Sequence, residues 1–136
     1  MRAHRRHGFT LTELTVVLTM IGVLATMAMP RITQTRDRLT LETATHEFAR
    51  TLSFARSEAI RLNRTVTMAP SGDTAYVLPS GQRNLPNGAR FTSTPADSIS
   101  FASFGPPVAG AGTYQITYKG RVSTVEVSAA GFVRVE

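Results

Sequence analysis

Three histidines, nine carboxylates and no cysteine are the side chains from which this 136-residue chain could build a catalytic or metal centre, and their spacing does not gather them. His4 and His7 fall in a basic stretch at the front, which leaves His46 as the sole histidine beyond residue 8. It stands on a charged helical face, without the nucleophile and orienting group that a catalytic base needs. Asp73 and Asp97 sit in turn-like sequences, where an aspartate caps its own backbone. The lack of cysteine removes thiolate nucleophiles, thiolate metal ligands and disulfides together, and neither a metal-ligand spacing nor a glycine-rich phosphate loop is present. These residues point to a non-enzymatic protein that uses no metal and no cofactor.

One acid stands apart. Glu13 is the only ionisable side chain from Phe9 to Met29, a run of 21 residues. A carboxylate at the middle of a bilayer costs about 2.5–3.5 kcal/mol, and less near the end of a span. It is therefore solvated by headgroups, or it meets a cation once the helix leaves lipid and packs among copies of itself. As an α-helix the run is about 31 Å long, enough to cross a hydrocarbon core of about 30 Å. Arg2, Arg5 and Arg6 precede it, so the front end is expected to stay cytoplasmic and the bulk of the chain to be exported. A secretory signal would have a shorter apolar region. Ala25 and Ala28 imitate its cleavage site, but the run continues into Pro30 and a polar helix, which favours a retained anchor.

Those three leading arginines also explain much of the formal charge of +6. With them set aside, twelve of the fifteen Lys/Arg remain against nine Asp/Glu, a surplus of only three. A sequence pI near 11.0 is thus weak evidence for a nucleic-acid partner.

The elements that position these residues follow from periodicity. Leu41, Ala44, Phe48, Leu52, Ala55, Ala59 and Leu62 recur at spacings of three and four, one apolar stripe on a helix expected over 31–63. Its other faces carry Arg38/Glu42, Glu47/Arg50 and Glu58/Arg61 at ion-pair spacing, and Arg56, all read as solvated. Pro30 falls at the junction with the apolar run, where a missing donor can kink a helix. From 64 to 136 the period becomes two. Strands are expected at 65–69, 74–78, 90–94, 98–104, 113–119, 121–128 and 132–135, with turns at Pro-Ser-Gly-Asp, Pro-Ser-Gly-Gln, Leu-Pro-Asn-Gly and Gly-Pro-Pro. Residues 105–112 read as the loop with the most freedom. The fold class is α+β: one long N-terminal helix, half apolar and half amphipathic, packed on an antiparallel β-sheet or two small sheets. The divisions are 1–8, a basic leader; 9–30, a transmembrane helix; and 31–136, a soluble domain with its helix at 31–63 and its strands at 64–136.

The stretch Gly8-Phe9-Thr10-Leu11-Thr12-Glu13-Leu14-Thr15-Val16-Val17 resembles the leading signal of type IV pilins and type II secretion pseudopilins. Leu52-Ser53-Phe54-Ala55-Arg56-Ser57-Glu58-Ala59-Ile60-Arg61-Leu62-Asn63-Arg64 is similar to the L-x-x-A-R-x-E-A-I-x-R-N segment of the GspH/FimT group of minor subunits, with a small departure in spacing at Arg61-Leu62-Asn63. The blocks at 99–105 and 125–135 look like the same group. The resemblance implies that a prepilin peptidase cuts between Gly8 and Phe9 and methylates the new Phe9 amine. It also implies that Glu13 neutralises the Phe9 ammonium of a neighbouring subunit, and that Pro30 is the usual helix-distorting proline. The implied partners are that peptidase, other pilins or pseudopilins in a filament, and the inner membrane. The group includes subunits of secretion pseudopili, of pili and of DNA-uptake machinery, and all three roles stay open.

Some members of the group bind DNA through a Gly-Arg-x-Arg motif near the C-terminus. The aligned stretch here is Gly131-Phe132-Val133-Arg134, which keeps only the second arginine. Strand parity would project Phe132 and Arg134 together, with Lys119 and Arg121 as a nearby basic turn. Such an aromatic–cation pair could stack a base and hold a phosphate, making these four the candidate DNA contacts. Alternatively, Phe132 packs on a loop and Arg134 is an edge charge.

Overall fold

The structure, a computed structural model, describes residues 9–136, and of residues 28–31 its backbone only. Gly8 and the basic leader lie outside the described residues, as does the side chain of Pro30. The chain divides into two compact units at residues 36/37.

A single helix, α1, runs over Leu11–Leu62. Its first part contains one stretch long and apolar enough to cross a membrane. Its end is set by Asn63, whose φ of 47° breaks the right-handed path. There Asn63 N–H donates to the Ile60 carbonyl and Arg64 N–H to the Ala59 carbonyl, both at 3.2 Å. This is a Schellman closure with asparagine in the left-handed position that glycine usually takes.

In the second unit, nine strands form two antiparallel sheets. The first has the order β3-β2-β1-β5-β6, from β1 (Val66–Ser71), β2 (Ala75–Leu78), β3 (Gly81–Asn84), β5 (Ile99–Phe101) and β6 (Pro107–Ala109). The second has the order β4-β7-β8-β9, from β4 (Arg90–Ser93), β7 (Gly112–Tyr118), β8 (Arg121–Val127) and β9 (Val133–Val135). Strand β1 serves two partners: Val66–Met68 pair with β5, and Ala69–Ser71 pair with β2.

The expected helical stripe is the core face as far as Ala59, and Leu62, at the last turn, is only half-buried. Leu41, Ala44, Phe48, Leu52, Ala55 and Ala59 are buried with Tyr76, Ile99, Phe101, Tyr114, Ile116 and Val125 from the sheets. Of the expected ion pairs, Arg38–Glu42 closes at 2.7 Å and Arg61–Glu58 at 2.6 Å. Glu47 and Arg50 are absent from the ion pairs found among the described residues.

Two strands depart from the expected pattern. β3 is polar and fully exposed, so no alternation marks it, and it exists because the two-residue turn Pro79–Ser80 folds it back on β2 with Leu78 opposite Gly81. Residues 105–112, expected as a loop, contain β6 and the first residue of β7; β6 is recruited by pairing of Ala109 with Ser100 and Pro107 with Phe101. The strand expected at 98–104 is correspondingly short, because the Gly105 N–H turns back to the Ala102 carbonyl at 3.0 Å.

Tyr114 is wholly buried and donates its hydroxyl to the Gly110 carbonyl at 2.8 Å. Burial pushes its pKa up to about 12 from 10.0, because the phenolate cannot be solvated there. Between those values the folded state keeps a proton that the unfolded state has lost, so stability falls as pH rises through that window. Alkaline unfolding followed by tyrosinate absorbance should show this loss above pH 10, and Tyr114→Phe should flatten it.

Candidate assembly site

The first four N–H groups of a helix have no partner within it, so the front of α1 must find acceptors. Thr10 and Glu13 supply them reciprocally. The Glu13 N–H donates to Thr10 Oγ1 at 3.2 Å, while Glu13 Oε2 accepts from the Thr10 N–H at 3.0 Å and from the Thr10 hydroxyl at 3.1 Å. The Leu14 N–H closes the first turn on the Thr10 carbonyl at 3.2 Å. This is a capping box, and its Thr-x-x-Glu spacing was present in the sequence. The carboxylate thus sits one residue from the Phe9 nitrogen, at a helix end whose dipole favours negative charge.

Further along, Thr15, Thr19, Gly22 and Thr26 line one shallow face of the apolar stretch with Leu18 and Val23. The threonine hydroxyls bond back to helix carbonyls: Thr15 to Leu11 at 3.2 Å and to Thr12 at 2.9 Å, Thr26 to Val23 at 2.7 Å, and Thr19 to Thr15. Their polar groups are therefore satisfied without water, as an apolar surrounding requires.

The four late candidates are not gathered. Lys119, at φ 47°, and Gly120, at φ 79°, make the β7–β8 turn, and Lys119 Nζ is held by Asp37 Oδ1 at 2.8 Å. That hydrogen bond, with the charge of Asp37, raises the Lys119 pKa. Arg134 lies opposite Glu126 on β9, five residues along β8 from Arg121, roughly 17 Å away at strand spacing. Parity sends Arg121 to the same side as Val125 and Val127, whereas Arg134 follows Glu126 to the other. Phe132 is 66% exposed, as its parity with Arg134 implied, while Val133 and Val135 pack against the core.

Phe132 has a partner that sequence reasoning missed. The Arg56 guanidinium carbon lies 5.1 Å from the centre of its ring, and Arg56 Nε is buried without a hydrogen-bond partner. Arg56, read from its helical position as solvated, is instead half-buried, with its Nε shut in where two loops meet. A Cβ on Gly131, at φ +81°, would lie 3.2 Å from Arg56 Nε and 2.7 Å from the Gly105 carbonyl oxygen, so only glycine fits there. The signal was the arginine inside the Ala55-Arg56-Ser57-Glu58 segment. Among the described residues no cluster of histidine and acids could hold a metal ion.

Residues 44–131 match the family described as Type II transport protein GspH, and residues 3–29 match the prokaryotic N-terminal methylation motif. The chain belongs to the GspH family. It is 35% identical over 94 residues to the pilin-like protein PilA1 of Thermus thermophilus, an alignment that covers 65% of this chain and only 59% of that protein. Crystal structures of the type IV minor pilin FimU of Pseudomonas aeruginosa, in two crystal forms, share its fold at 20% identity. One has a TM-score of 0.63 over 73% of this chain and 90% of FimU, the other 0.60 over 71% and 92%. This GspH-family chain is thus a pilin-like protein with one long N-terminal helix on antiparallel sheets, and it is not an enzyme.

Proposed function

We propose that the chain is a minor subunit of a type IV pilus or of a secretion pseudopilus, anchored in the inner membrane by residues 9–30 until it joins the filament. The observation that carries this reading is a GspH-family domain continuous with an apolar helix whose single acid, Glu13, stands in the first turn. A prepilin peptidase removes residues 1–8 on the cytoplasmic side and methylates the Phe9 amine. The Glu13 carboxylate then meets the Phe9 ammonium of the adjacent subunit, a pairing that a low-dielectric filament core makes far cheaper than two separate charges. The face of Thr15, Thr19, Gly22 and Thr26 suits close helix packing, since small residues let backbones approach. Pro30 supplies the bend at the membrane exit, and residues 31–136 lie on the exported side.

The test is the N-terminal sequence and mass of the membrane-extracted protein. A methylated Phe9 start is expected, and any other start overturns the reading. Gly8→Leu should leave a full-length precursor in the membrane on a gel; normal maturation would contradict cleavage after Gly8. Loss of secretion on gene deletion, with transformation intact, would identify a type II secretion role, and the reverse a role in DNA uptake. Capture of DNA by Lys119, Arg121, Phe132 and Arg134 gains no support from the geometry, because Lys119 is held by Asp37 and the two arginines are on opposite faces.

A further inference from the structure

Between α1 and the β2–β3 hairpin lie two adjoining hollows of about 220 and 260 Å³ that share Phe54, Leu78 and Ser80. Ala55, Val66 and Pro79 give the smaller one an apolar floor, and the Phe54 ring common to both is 58% exposed. The rim is cationic: Arg50 and Arg83 border one hollow and Arg64 the other. None of these three is in an ion pair among the described residues, whereas the rim acid Glu58 is taken by Arg61 through contacts of 3.0 and 2.6 Å. Glu47 is the other rim acid. Arg83 belongs to β3, the outermost strand of its sheet and exposed along its whole length, so one side of its backbone has no neighbouring strand.

We infer that this groove binds an extended, acidic segment of another protein, laid along the β3 edge. An added strand would satisfy the edge N–H and C=O groups, and its alternate side chains, roughly 7 Å apart, would enter the two hollows on either side of Phe54. Carboxylates on that same face, at the alternate positions flanking the two inserted side chains, would meet Arg50, Arg64 and Arg83 in charge-assisted hydrogen bonds. A nucleic-acid strand fits less well. Its continuous phosphates would run past Glu47 and Glu58, and its bases offer nothing to the strand edge. The groove lies wholly within residues 37–136, and the inference stands whether or not the helix enters a filament.

The test uses the full membrane-extracted chain in detergent micelles with four labelled probes read by fluorescence anisotropy. These are a peptide in which every second residue is serine and the others run glutamate, valine, valine, glutamate along one face of a strand, its counterpart with lysine for glutamate, the glutamate peptide N-methylated along one backbone edge, and a thymidine oligonucleotide of equal length. Saturable, salt-sensitive binding of the first alone is expected, weakened about tenfold by Phe54→Ser and by Arg83→Glu. Both side chains are exposed, so the variants should melt like the parent; Arg50→Glu replaces either one that does not. Equal binding of the two charge-reversed peptides, displacement by the oligonucleotide, insensitivity to the substitutions, or no saturable binding would each overturn the inference.

Discussion

Phe48→Ala should remove a large share of the stability of residues 37–136 and move their urea midpoint sharply down. Phe48 has no exposed surface, and its ring meets three others edge-on or tilted: Tyr76 at 5.6 Å, Phe91 at 5.0 Å and Tyr114 at 5.4 Å between centres. Tyr76 belongs to the five-stranded sheet, and Phe91 and Tyr114 to the four-stranded one, so this ring joins the helix to both sheets. Removing a buried phenyl group costs about 3–5 kcal/mol, through lost transfer energy and the cavity left behind. Edge-to-face geometry adds about 0.5–1.5 kcal/mol per pair beyond the buried area. A domain of this size is stable by about 5–15 kcal/mol, so the loss is a large share of the total. Phe48→Leu keeps most of the volume and should cost far less. Urea unfolding of the purified protein, followed by circular dichroism, reads both; an unchanged midpoint for Phe48→Ala would show that the three-ring contact is not what joins helix to sheets.

What could be read in the sequence was whatever repeats along one element. The stripe from Leu41 to Ala59 is buried where a period of 3.6 put it, and the helix stops one residue before the expected Asn63. Strands with alternating side chains appeared within a residue or two of their expected ends, except that expected at 98–104, which stops at Phe101. β3 and β6 were not legible because pairing with a neighbour defines them, and their own side chains carry no pattern. The site followed the same division. Thr10–Glu13 is a local spacing, present in the sequence, in which one carboxylate is both a helix cap and an acid in an apolar run. Lys119 meets Asp37 across 82 positions, and Arg56 meets Phe132 and the loops of Gly105 and Gly131 from equally remote parts of the chain. Such partners are set by the folded sheets, and no local periodicity encodes them.

The second large effect concerns Glu13, where capping and charge pairing make separable claims on one carboxylate. Glu13→Leu should leave the chain in the membrane, since it removes an acid from an apolar run, yet reduce its recovery in sheared filaments by roughly a hundredfold to a few thousandfold. That magnitude follows if the substitution strands a neighbour's ammonium in the filament core, a loss of about 3–5 kcal/mol for one partner of a buried pair. Glu13→Leu also destroys the capping box, which is worth only about 1 kcal/mol. Glu13→Gln separates the two, because glutamine can accept the Thr10 hydrogen bonds but brings no charge. Thr10→Val does the reverse, removing the hydroxyl that links the pair while leaving the carboxylate. If charge governs entry into the filament, Glu13→Gln fails like Glu13→Leu and Thr10→Val assembles within a fewfold of the parent. Normal assembly of Glu13→Gln would remove the ammonium pairing from the account, leaving this acid as a helix cap that happens to lie in a membrane-length run.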